Sequence, residues 1–131
     1  MAKNVIKDVG NLKAVGPYSL AVDAGGLLFV SGQLGIDPEK GDFAGNEIAI
    51  QVKQAFQNIA AILGEAGLGL DAVVKVDVFL KDIHDFAKLN DVYQRVFEEA
   101  CPEGDFPARA TAESANLPKG ALVEIAVTCA K

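Results

Sequence analysis

The sequence predicts an α+β domain, two-layered, with two helices on one face of a mixed β-sheet. Three observations carry that expectation. Apolar residues recur at helical spacing in two stretches, Ile48, Val52, Phe56, Ile59, Leu63 and Phe86, Leu89, Tyr93, Val96, Phe97. Alternating patterns at 74–80, 108–113 and 122–129 read as strands. The resulting order of strands, helix, strand, helix and strands suits two helices lying side by side on one sheet.

The elements follow in order. Val5 to Leu12 is a mixed opening with room for one short strand, and Gly16-Pro17 is turn chemistry. Tyr18 to Asp23 and Leu27 to Gln33 flank Gly25-Gly26 and predict a hairpin. Asp37 to Gly41 is a loop built around Pro38. Asn46 is the expected N-cap of the first helix and Gly67 its stop. Val74, Val76, Val78 and Leu80 should share one face of the next strand, with Lys75 and Asp77 on the other. The second helix ends before Pro102. Leu117 to Gly120 is a tight turn, and the last strand sets Val123, Ile125, Val127 and Cys129 against Leu122, Glu124, Ala126 and Thr128.

Composition narrows the function. The 131 residues suit one domain, 1–131, with a core that needs no staples. A net charge of −6 argues against grip on a phosphate backbone, and no basic stripe offsets it, so no nucleic-acid partner is expected. Cys101 and Cys129 form no CxxC pair and the single histidine cannot build a metal site, so no metal is expected. The two thiols read as reduced, an internal disulfide being the weaker option. No signal-peptide pattern or membrane-length apolar run stands out, which predicts a soluble cytoplasmic protein without a membrane partner.

The segment Phe106 to Glu113 holds the chemical interest. Alternation puts Arg109, Thr111 and Glu113 on one face, and Ala108, Ala110 and Ala112 on the other. The alanine face is expected to receive a helix. Arg109 then has two readings, a solvated surface charge or an anion pocket, since a planar five-donor fork suits a carboxylate. On this view the sheet's second face collects Lys75, Asp77, Arg109, Thr111, Glu113 and Glu124 beside Leu122 and Ala126. Two helices cannot cover both faces, so that side is either wet or, as favoured here, buried against other subunits.

Gly16-Pro17-Tyr18, Val30-Ser31-Gly32-Gln33, Val78 to Asp82, and Phe106-Pro107-Ala108-Arg109 followed by Leu117-Pro118 together resemble the RidA (YjgF) family of enamine/imine deaminases. The resemblance runs from about Val15 to the C-terminus with the motifs in register. It implies the chorismate-mutase-like α+β fold, a homotrimer with clefts between subunits, and hydrolysis of 2-aminoacrylate and related 2-imino acids to 2-keto acids and ammonia. It implies no cofactor.

By motif, Arg109 matches the family's substrate-carboxylate arginine, Tyr18 the tyrosine that closes the cleft, and Glu124 the carboxylate near the water. Thr111, Gly32, Ser31 and Asn90 are expected to line the substrate. Many members carry cysteine where this chain has Thr111, which puts any thiol-based regulation of the pocket in doubt. Plainer roles stand beside these. Arg109 has Glu113 as a structural partner, Glu124 has Lys75 across the sheet, and Tyr18 packs after its turn. Ser31 reads as a satisfied strand hydroxyl, Asn90 as a solvated helical residue and His84 as a surface one. The rival function is a non-catalytic module binding 2-keto acids or related small carboxylates. Ribonuclease activity, attached to some members, fits poorly with the acidic balance.

Overall fold

The central strand of the sheet is also the last in sequence. In the computed structural model, which describes residues 2–131, β1 (Asn4–Ile6), β4 (Ala21–Ala24), β5 (Leu27–Leu34), β8 (Val73–Leu80), β9 (Ala108–Glu113) and β10 (Val123–Ala130) form one sheet. Their order is β1-β4-β5-β10-β8-β9, antiparallel throughout except for the parallel pair β8–β9. Two small hairpins complete the strands: β2 (Asp8–Val9) with β3 (Leu12–Lys13), and β6 (Ile36–Asp37) with β7 (Asp42–Phe43). Helices α1 (Ile48–Glu65) and α2 (Phe86–Ala100) pack on one face. The expected α+β architecture is the observed one.

The alternation of β10 builds the core. Val123, Ile125, Val127 and Cys129 are all buried against Val52, Phe56, Ile59 and Leu63 of α1. Each such side chain taken from water contributes roughly 1.5–3 kcal/mol. The helices meet through aromatic edges: Phe56 lies 5.7 Å from Tyr93 and 5.5 Å from Phe97, ring centre to ring centre. Gly25 and Gly26 form the expected two-residue hairpin turn, both with positive φ (61° and 83°) as a primed turn requires. The first helix stops as expected at Gly67, where Gly67 N–H bonds Gly64 O and Leu68 N–H bonds Leu63 O.

Several local expectations are corrected. The opening stretch holds β1 and the β2–β3 hairpin rather than one strand. The N-cap of α1 is Glu47, without a side-chain hydrogen bond, not Asn46. Tyr18 precedes its strand, in a turn where its N–H bonds Gly16 O at 2.8 Å. Val74 does not join Val76, Val78 and Leu80: it is 45% exposed while Val73 is buried. The cause is a register shift that sets Cys129 opposite Val73 while Thr128 still faces Lys75.

The largest correction concerns β9. Its parallel register sets Arg109 beside Val76 and Thr111 beside Val78, so both share the face that the helices cover. The alanines face the open side, and no helix packs on them. The open face therefore carries Lys75, Asp77, Glu124 and Ala126, together with exposed Phe29 and Phe79, but not Arg109 or Thr111. Alternation settled which residues travel together. The choice of face belonged to pairing with β8.

Helix α1 is fastened to the sheet by two buried amides that sit within its apolar stripe. Gln51 donates to Gly45 O at 2.9 Å and accepts from Leu122 N–H at 2.9 Å. Asn58 donates to Leu34 O at 3.2 Å and to Ile36 O at 2.8 Å. Gly35 lets the helix come this close, since a Cβ there would lie 2.5 Å from Gln51 Cα. Gly35→Ala should therefore lower stability by about 1–3 kcal/mol, the usual cost of overpacking. Urea unfolding checks it, and an unchanged midpoint would show that the contact relaxes freely.

Candidate functional site

The expected site residues fall into two groups on opposite faces of the sheet. The first lines a cleft of about 720 Å³ that includes Tyr18, Ser31, Gly32, Pro118, Lys119 and Glu124. Glu124 projects from β10 on the open face, opposite Leu34 on one side and Phe79 on the other. Gly32 makes room for it: a Cβ at that position would lie 2.5 Å from Glu124 Oε2. The role read for Gly32, close approach, is thus an approach of a carboxylate to backbone.

Lys75 does not pair with Glu124. Its ammonium lies 2.5 Å from Asp77, on its own strand. Glu124 is left partly buried, and burial pushes its carboxyl above the ordinary glutamate range. The Ser31 hydroxyl donates to Ser19 O at 2.6 Å and its N–H to Leu20 O at 2.9 Å. These bonds hold the segment that carries Tyr18 beside β5. The Tyr18 ring stands over Gly16, and its hydroxyl oxygen accepts from Val15 N–H at 3.4 Å.

The second group is built on β9 and α2. Arg109 Cζ lies 4.6 Å from the centre of the Tyr93 ring and 5.3 Å from that of Phe86. Asn90, one turn beyond Phe86 and three residues before Tyr93, shares their side of α2. The ion pairs among the described residues are Lys75–Asp77, His84–Asp82 and Lys131–Asp23, which leaves Arg109 without a carboxylate. Glu113 accepts from Ile83 N–H at 3.0 Å instead of pairing with it. The hydroxyls of Thr111 and Tyr93 are buried, with no hydrogen-bond partner among the described residues. Burial pushes the Tyr93 phenol up to about 12 against the opposing pull of Arg109, so it stays protonated.

In the sequence, Phe86 and Tyr93 read only as part of the apolar spacing of the second helix. Phe86 is 41% exposed and Tyr93 8%, so the pair spans the border of the core beneath Arg109. The signal available was their spacing of seven residues, two helical turns, ahead of an arginine on a neighbouring strand. His84 is on the surface as expected, its ring nitrogen 2.8 Å from Asp82. Both cysteines are free and buried, and burial pushes Cys129 up to about 11, so neither offers a thiolate. No group of metal-ligating side chains occurs among the described residues, and no helix there is long and apolar enough to cross a membrane.

Comparison with known proteins adds the following. A family model described as Endoribonuclease L-PSP matches residues 9–131. A RutC family protein of Pyrococcus abyssi is 47% identical over 125 residues, spanning 95% of this chain and 94% of that protein. The 2-iminobutanoate/2-iminopropanoate deaminase of Bos taurus is 42% identical over 125 residues, spanning 95% and 88%. Among solved structures, the YjgF gene product of E. coli superposes with a TM-score of 0.90 at 36% identity, covering 98% of both chains. E. coli TdcF with bound serine gives 0.90 at 32% identity, again covering 98% of both.

The raised Glu124 carboxyl has a consequence for stability. An unfolded glutamate ionises near 4.3, below the folded value, so between the two the native state binds the extra proton. Stability is therefore lost as pH rises through that window and stays lower above it. Glu124→Gln removes the titration. The variant should be more stable than wild type at pH 7, with the advantage shrinking as pH falls through that window and largely gone below about 4. Thermal melts across pH check this, and a pH-independent difference would assign the effect to packing.

Proposed function

The chain belongs to the RidA/YjgF family, and from that premise we propose that it hydrolyses 2-imino acids and their enamine tautomers to 2-keto acids and ammonia. The observation that carries this reading is Arg109, a partly buried guanidinium resting on two aromatic rings without a protein carboxylate. Such a group is suited to a ligand carboxylate, which a guanidinium grips through two parallel N–H bonds. Support comes from the Bos taurus relative, named an imino-acid deaminase, and from the bound serine of TdcF, itself a small carboxylate.

In this reading Arg109 fixes the substrate carboxylate, and Glu124 serves as proton donor and acceptor. A carboxyl raised by burial gives a proton to the enamine carbon or imine nitrogen, which makes C2 electrophilic. The carboxylate so formed takes a proton from the attacking water. Glu124 passes that proton to the amino nitrogen, the C2–N bond breaks to release ammonia, and Glu124 takes the hydroxyl proton as the water oxygen becomes the keto oxygen, which restores its starting protonated state. Tyr18 closes over the ligand, and Thr111, Gly32, Ser31 and Asn90 belong to the surrounding wall, Ser31 as a packing contact since its hydroxyl and N–H are both committed. No cofactor enters the scheme.

Arg109 and Glu124 project from opposite faces, so one chain does not offer both to one small ligand. We therefore include association in the proposal: Arg109 of one copy completes the cleft of Tyr18 and Glu124 on the next, in a closed ring of three.

The test generates 2-imino acids with an amino-acid oxidase and traps them with semicarbazide. Wild type should divert flux from the semicarbazone to keto acid, and Arg109→Ala and Glu124→Ala should each lower that rate by a hundredfold or so, the scale of a positioned acid–base group. Hybrids refolded from the two variants should recover part of the activity, because some clefts then hold both native residues. Keto-acid binding without turnover in wild type would make the protein a carboxylate-binding module. Full activity in both variants would overturn the site.

A further inference from the structure

An arginine is usually aimed by a carboxylate, but that partner also consumes the N–H groups the arginine would offer a ligand. Arg109 is held differently. Its Cζ lies over two ring faces, which attract a cation through their negative π-electron density and leave the in-plane donors unspent. The carboxylate that shares its face of β9 is tied up elsewhere, since Glu113 accepts from Ile83 N–H, and Asp77, beside Ala110, lies on the other face.

Both rings are themselves fixed. Tyr93 stands edge-on to Phe56 of α1 at 5.7 Å and 73°, and lies 4.7 Å from Phe97, so the core sets its position. Phe86 is the first residue of α2 and follows a single 3₁₀ turn, Ile83–Asp85. That turn is pinned at both ends of its entry, by the Asp82 side chain accepting from His84 N–H and by Glu113 accepting from Ile83 N–H. Strand β9 thus carries both the arginine and the carboxylate that anchors the turn leading to one of its supporting rings.

We propose that Phe86 and Tyr93 are positioning residues, an aromatic shelf that sets the orientation of the Arg109 guanidinium and through it that of a bound 2-imino or 2-keto carboxylate. This rests on the carboxylate-binding reading of Arg109 given above. The shelf acts through ring faces, so ring retention matters and the Tyr93 hydroxyl does not. It also favours arginine over lysine, since a planar fork on a fixed shelf presents two N–H groups side by side whereas an ammonium presents a point charge.

The experiment measures binding of 2-oxobutanoate by calorimetry and KM and kcat in the semicarbazide assay, on the full-length protein. Phe86→Leu should weaken 2-oxobutanoate binding and raise KM by about 2- to 30-fold, the range that one cation–π contact spans. Because kcat at saturation depends on Glu124, it should fall much less. Phe86→Trp should restore binding to within about twofold of wild type, which a role in packing alone does not predict, and Tyr93→Phe should bind like wild type. Thermal melting should change little for Phe86→Leu, since that ring is 41% exposed.

Unchanged affinity in Phe86→Leu, with binding abolished in Arg109→Ala, would overturn the shelf while leaving the carboxylate site standing. Loss of binding in Tyr93→Phe would also overturn it, by giving the role to the hydroxyl. Undiminished binding in Arg109→Ala would remove the carboxylate reading itself, and the shelf with it.

Discussion

The constraint on which this structure depends is the double pairing of β10. It hydrogen-bonds β5 on one side and β8 on the other, so every residue in it is committed to one face or the other. Its odd-numbered side chains anchor both helices through the core. Its even-numbered ones are thereby forced to the open face, and Glu124 is among them. A buried carboxyl is costly, and here its position follows from the strand that the core can least afford to shift. A slip of one residue would put Glu124 among Phe56 and Ile59 and expose the core residues to water.

The same logic separates the two halves of the site. β9 joins the sheet at its edge, parallel to β8, and inherits the facing of Val76 and Val78. The helix layer thins out at that edge, where α2 ends its cover with Phe86 half exposed. A long cationic side chain is tolerated there because its stem lies along apolar surface while its head meets aromatic faces near solvent. In mid-sheet the same arginine would be buried without a counter-ion. The open face exposes Phe29 and Phe79 beside Glu124, apolar surface that the proposed association would cover.

What the sequence made legible was periodicity. Ile48 to Leu63 and Val123 to Cys129 announce their elements because burial on one face demands a fixed spacing, and the two-layer arrangement follows from their order. Facing was not legible for β9, because alanine, arginine and threonine alternate equally well in either orientation and only the partner strand decides. Val74 misled for a related reason: a bulge interrupts the alternation where Thr128 gives way to Cys129, and nothing in the residue types marks it. Gln51 and Asn58 were silent because polar residues on an apolar stripe declare a need for partners without saying which. The motifs name candidate residues by kind, but a motif carries no information on which face of a sheet its members share.

Keeping Arg109 and Glu124 on opposite faces has a chemical benefit as well. Side by side in one chain they would form an ion pair, which would depress the Glu124 carboxyl and occupy the donors of Arg109. Apart, the carboxyl is raised by burial alone and the guanidinium stays free. In the shared cleft proposed above they meet across a ligand. The ligand's carboxylate neutralises the guanidinium, so the pull that Arg109 exerts on Glu124 weakens when substrate is seated. Glu124 is then most basic, and most able to hold the proton it must deliver, at the moment the imine is in place. On the proposed function, one arginine aimed by rings rather than by acids would couple substrate binding to the protonation of the group that acts on it.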